Sequence, residues 1–82
     1  MVNRRTVDVD EGITLGQFLK FAGVAGTGGH AKALVEEEGV VVNGDAETRR
    51  GRKLRHGDVV RVGNDELTVA RRSGGGRAGS SY

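Results

Sequence analysis

The chain contains no cysteine, which excludes disulfides and thiolate-held metals. Its two histidines, His30 and His56, lie far apart in sequence and show no metal-ligand spacing. Only three residues are aromatic, Phe18, Phe21 and Tyr82. That is a poor supply for a surface on which unpaired bases stack. No apolar run approaches the roughly 20 residues needed to span a bilayer, and no secretory h-region follows the N-terminus. The expected compartment is therefore the cytoplasm, with no membrane partner. No acid, thiol or serine is combined with a histidine in a catalytic constellation. The expectation is a protein that is not an enzyme and uses no cofactor and no metal.

What is present is a chain of 82 residues, enough for one domain with a small core. Its charge is unevenly distributed. Residues 1–70 carry ten Lys+Arg against eleven Asp+Glu, and the tail 71–82 adds three arginines and no acid. Within the nearly neutral body, Arg49-Arg50-Gly51-Arg52-Lys53-Leu54-Arg55 places five cations in seven residues with no acid between them. Such a concentration can neutralise the closely spaced phosphates of a nucleic acid and release condensed counterions. It can equally be a solvated loop.

The local patterns alternate between the two regular periods. Thr6-Val7-Asp8-Val9-Asp10 reads as a short edge strand. Thr14 is placed as an N-cap, with Gln17 completing a capping box. Leu15, Phe18, Leu19 and Ala22 form one helical stripe that Gly23 ends. Phe21, beside that stripe, reads as peripheral core. Thr27 caps a second helix with Ala31, Leu34 and Val35 on its core face and Gly39 at its C′ position. Val40-Val41-Val42 is a strand, Asn43-Gly44 a hairpin turn and His56-Gly57-Asp58 another turn. Val59–Val62 and Leu67–Ala70 are the remaining strands, and the Gly/Ser-rich tail from 71 to 82 is expected to be disordered. The fold class is α+β, two helices on a small, twisted, mostly antiparallel sheet. The domain covers residues 1–70.

Gly28 and Gly29 at the start of the second helix weaken it. They also leave backbone N–H groups open to a phosphate at the positive end of the helix dipole. Lys32, one turn further on, can reach the same anion or can pair with Glu36. The candidate RNA-binding residues are thus Thr27, Gly28, Gly29, His30 and Lys32 on the second helix, and Arg49, Arg50, Arg52, Lys53 and Arg55 in the basic run. Lys20, Arg71 and Arg72 are accessory candidates. His30 reads more simply as a polar surface residue. Glu36-Glu37-Glu38 forms a solvated acidic face that would turn away from nucleic acid.

The order of these pieces resembles the S-four RNA-binding domain, also called the αL RNA-binding motif. The resemblance rests on a T-L-x-x-F-L helix, T-G-G-x-A-K, V-x-V-N-G, a basic connector and L-x-x-G-D-x-V. It spans about residues 13 to 62. Ile13–Lys20, Gly28–Lys32 and Arg49–Leu54 are similar to the stand-alone bacterial YaaA type. The resemblance implies a helix pair docked on a sheet and facing structured RNA, commonly ribosomal, with ribosomal subunits or assembly proteins as further partners of a monomer. Thr27 stands where the wider family usually has Ser. Thr14-Leu15-Gly16 replaces Arg-Leu-Asp, and Gly28 replaces an Arg, so the expected contacts shift toward Arg49–Arg55. Two other readings compete. A ubiquitin-like sulfur-carrier or protein-interaction domain also has V-N-G and G-D-x-V, and Gly74-Gly75-Gly76 imitates its tail. A DNA-binding helix-turn-helix would suffer from the acidic end of its second helix.

Overall fold

The structure, a computed structural model, describes residues 2–71. Thr14 opens the first helix with extended backbone. Its hydroxyl accepts from Gln17 N, and the Gln17 side chain accepts from Thr14 N, so the capping box is complete. Helix α1 (Leu15–Phe21) buries Leu15, Phe18 and Leu19 completely. Gly23, at φ +80°, then reverses the chain. Thr27 starts helix α2 (Gly28–Ala33), its Oγ1 accepting from His30 N. The helix widens without a break into a π-helical segment over Leu34–Gly39. Gly39, at φ +93°, ends that segment in the left-handed conformation that glycine adopts without a Cβ penalty.

Five strands form one sheet in the order β1-β5-β4-β2-β3. They are β1 (Asn3–Val9), β2 (Val40–Val42), β3 (Asp45–Glu47), β4 (Val59–Val62) and β5 (Asp65–Arg71). The sheet is mixed. β2 pairs antiparallel with β3 and with β4, and β4 with β5, while β1 runs parallel to β5 at the edge. Two features extend beyond the sequence reading. β3 is a strand, the second arm of the Asn43-Gly44 hairpin, and β5 runs on to Arg71, which pairs with Val9. The remainder of the basic tail, with Arg72, lies outside the described residues.

One face of the sheet carries the core. Val42, Val60 and Leu67 align across β2, β4 and β5, and Val40 aligns with Val62. All are buried, together with Ala31, Leu34 and Val35 of the second helix. The opposite face is polar and neutralises itself. Glu66 takes Arg4 from β1 at 3.4 Å and Arg61 from β4 at 3.8 Å. Two of the ten body cations are therefore spent within the sheet, on the side away from the helices. Phe21 departs from its expected place in the core: it is 56% exposed.

Candidate nucleic-acid interface

The start of a helix leaves backbone N–H groups without partners. In α1 these are taken by the basic connector. Leu15 N donates to Arg52 O at 2.7 Å and Gly16 N to Arg50 O at 3.0 Å. Leu54 N returns a bond to Ile13 O at 2.9 Å, and Thr14 forms a β-bridge with Lys53. The connector thus lies antiparallel along residues 13–16, with Leu54 inserted in the core at 4% exposure. A Cβ at Gly16 would stand 3.4 Å from Arg50 Cβ, in van der Waals contact with the connector. The far end is closed by Asp58, whose carboxylate accepts from Arg55 N and from Asn43 Nδ2. Partial burial pushes the Asp58 carboxyl up, but the bonds from Asn43 and Arg55 outweigh it, and its pKa falls below the ordinary range.

The near end is held by Glu47, a residue the sequence reading did not single out. The hairpin register sets Glu47 opposite Val40, on the inward face of β3, where it is 6% exposed. Its Oε2 accepts from Thr48 N, Arg49 N and Arg49 Nε, and its Oε1 accepts from Arg52 Nη1 at 3.0 Å. The Arg49 side chain first, then that of Arg52 and the Arg49 N–H, hold the carboxyl at about 2. A folded-state pKa below the unfolded value favours the fold wherever the group is ionised in the unfolded chain, and the benefit is lost as pH falls through the folded value. Stability should therefore be level down to about pH 5 and should decline steeply between about 4.5 and 2. Urea midpoints measured across that range should show a shallower decline for Glu47→Gln than for the parent. Identical profiles would mean that Glu47 is not so held.

The five cations of the run consequently have different surroundings. Arg49 and Arg52 are engaged by Glu47. Arg55 lines a separate groove together with Asp10, Glu11, His56 and Arg71. Arg71 itself belongs to the folded body, with its guanidinium 3.3 Å from Glu11 and its backbone N–H on His56 Nδ1. Lys53 is exposed, and no acid pairs with it among the described residues. Arg50 faces the helices. With Lys20 of α1 and Gly28 of α2 it lines a cleft of about 260 Å³, whose walls include Thr14, Gly16 and Gln17. Neither Lys20 nor Arg50 pairs with an acid among the described residues.

The start of α2 is open on this side. Gly28 and Gly29 both lie outside the positive-φ region, and a Cβ at Gly28 would meet nothing within 4 Å. Nothing in the backbone demands glycine here. Thr27 is occupied in capping. His30 is exposed, and its Nδ1 accepts from Gly26 N at 3.1 Å, which ties the ring to the turn before the helix. Lys32 is exposed, and the alternative pairing with Glu36 does not form. Glu36, Glu37 and Glu38 are exposed at the far end of the same helical stretch.

A family model for the S4 domain matches residues 7–70. The chain belongs to the S4 domain family. The match takes in both helices, the hairpin, the basic connector and nearly all of the last strand. The chain is also 52% identical over 62 residues to the "Probable ribosome maturation protein RlbA" of Bacillus subtilis (strain 168), an alignment covering 76% of this chain and 86% of that protein. Within this S4 domain the segment from Gly28 to Gly39 is helical, its first part α2 packing against α1 and its second part against β2 and β3, so the ubiquitin-like alternative is set aside. Among the described residues no helix is long and apolar enough to cross a membrane, and no group of His, Asp and Glu is arranged to hold a metal.

Proposed function

We propose that this protein is a non-enzymatic module that binds folded ribosomal RNA in the cytoplasm and takes part in ribosome maturation. The observation that carries the reading is the cleft between α1, α2 and the basic connector. It brings Lys20, Arg50 and the open start of α2 together, while Arg4, Arg49, Arg52, Arg61 and Arg71 are paired with acids elsewhere. Unpaired cations beside open backbone N–H groups suit phosphate oxygens. Few aromatics and a shaped, positively charged recess favour the backbone of structured RNA over unstacked bases. The acidic run Glu36–Glu38 orients the complex, because like charge repels it from the phosphates. The name of the Bacillus subtilis relative points to the same setting.

Titration with refolded bacterial ribosomal RNA and with duplex DNA of equal phosphate content tests the proposal. Tighter binding to the RNA is expected at every salt concentration. Equal affinity for both would reduce the cleft to a general polyanion site and overturn the reading.

The glycines of α2 provide a second check. Gly29→Ala should stabilise the fold by up to about 0.5–1 kcal/mol, since alanine is the better helix former. The new methyl meets only Thr27 Oγ1, at 3.9 Å. If a phosphate approaches the helix start, the same methyl should weaken RNA binding. Thermal melts and RNA titrations on this one variant should therefore move in opposite directions. A variant that is more stable and binds equally well would remove the helix start from the interface.

A further inference from the structure

We infer that Glu47 is a positioning residue for RNA recognition, an acid at the end of β3 just ahead of the basic segment that makes binding selective by holding the connector in shape and keeping two arginines occupied. The inference rests on the RNA-binding reading above. On charge alone Glu47 is a liability, because a carboxylate among five cations cancels part of the attraction for phosphate. Its geometry gives it another role. It is nearly buried, and its two oxygens accept from Thr48 N, Arg49 N, Arg49 Nε and Arg52 Nη1. These bonds clamp both ends of the turn in which Arg52 N donates to Arg49 O. The carbonyls of the same turn, Arg50 O and Arg52 O, dock on Gly16 N and Leu15 N. Holding the turn therefore fixes where Arg50 leaves the backbone, and so how its guanidinium meets the cleft.

Arg49 and Arg52 gain a second meaning from the same contacts. Released, they would be two flexible cations able to grip any phosphate chain. Bound to Glu47, they contribute less to indiscriminate attraction. Selectivity is a difference between affinities, and suppressing attraction for the wrong partner raises it as effectively as improving the right contacts.

Two substitutions separate position from charge. Glu47→Gln removes the charge but keeps the side-chain length. Glu47→Asp keeps the charge but is one methylene too short to serve both arginines from the same backbone position. Each should be titrated against refolded bacterial ribosomal RNA and against polyuridylate, well below its own melting temperature. The preference of the parent for ribosomal RNA should shrink by about tenfold in both variants, the effect of one lost charge-assisted contact. Glu47→Gln should in addition bind polyuridylate more tightly than the parent does, with a steeper salt dependence. Unchanged preference in the two variants would overturn the inference, as would an equal gain by Glu47→Gln on both RNAs with Glu47→Asp unaffected, because that is the signature of charge alone. A parent that shows no preference for ribosomal RNA would instead overturn the RNA reading itself, and the inference with it. Should Glu47→Gln melt below the assay temperature, Glu47→Asp decides the matter by its preference ratio.

Discussion

Replacing Lys20, Lys32 and Arg50 together by glutamine should lower affinity for folded ribosomal RNA by about two to three orders of magnitude, at roughly tenfold for each lost charge-assisted contact. The logarithmic salt dependence should flatten by about 2–3, at 0.7–0.9 for each phosphate no longer contacted. The reason lies in the pairing of the cations rather than in their number. Lys20 and Arg50 line the cleft, and Lys32 follows the open start of α2. All three side chains are exposed and unpaired with acids among the described residues, so their loss should leave the melting temperature nearly unchanged. A matched control is available. Arg4→Gln with Arg61→Gln also removes cations, but from the open face of the sheet, where both serve Glu66. That pair should leave the salt slope as it is. If the two sets of substitutions weakened binding equally per charge, a diffuse electrostatic attraction would replace the cleft as the explanation.

The second large effect concerns stability. Leu54→Ala should destabilise the fold by about 2–4 kcal/mol, the range for truncating a buried leucine where the surroundings relax only in part. Domains of this size have only about 4–12 kcal/mol in total, so the urea midpoint should drop substantially. Leu54 is 4% exposed and is the sole apolar residue in a segment otherwise made of cations and glycine. Its backbone N–H holds Ile13 O while its neighbours dock on the start of α1. The side chain therefore joins the basic segment to the core. Its truncation should also lower RNA affinity at temperatures where the variant is still folded, because Arg50 loses its fixed origin. A loss of under about 1 kcal/mol would show that the connector is held by its backbone bonds alone.

Much of this arrangement is legible in the sequence wherever one residue type has one physical job. Thr14 with Gln17 signals a capping box, and both reciprocal bonds form. Asn43-Gly44 signals a tight hairpin, and both residues take positive φ, 54° and 88°. The stripe Leu15, Phe18, Leu19 and the pattern Ala31, Leu34, Val35 are buried as their spacing requires. The pairing of β1 with β5 is not legible, because it joins the two ends of the domain and no local pattern encodes it. β3 escapes notice because Asp45-Ala46-Glu47 has low strand propensity and is held by its partner β2.

Glu47 shows most clearly where sequence reading stops. As a residue type it looks like a solvated acid. Counting across the hairpin turn sets it opposite Val40, and that register is the signal that could have found it. Once it is inward, the backbone N–H groups of Thr48 and Arg49 and the side chains of Arg49 and Arg52 satisfy it. The same contact divides the basic run, pairing two of its five cations with an acid. A run of cations reports total charge, whereas the fold assigns Arg49 and Arg52 to Glu47, Arg50 to the cleft and Arg55 to another groove. The order of the family motifs supplies the architecture, and the pairing of individual charges becomes visible only in three dimensions.

Ultraviolet crosslinking of the protein to refolded bacterial ribosomal RNA, followed by mass spectrometry of the crosslinked peptides, tests the central claim most directly. The account predicts crosslinks in the segments from Thr14 to Lys20 and from Thr27 to Lys32 and at Arg50 and Gly51, which border one cleft from three elements. It predicts none at Glu36–Glu38 or on the Arg4, Glu66 and Arg61 face of the sheet. Crosslinks concentrated on that sheet face, with the cleft segments unmarked, would contradict it.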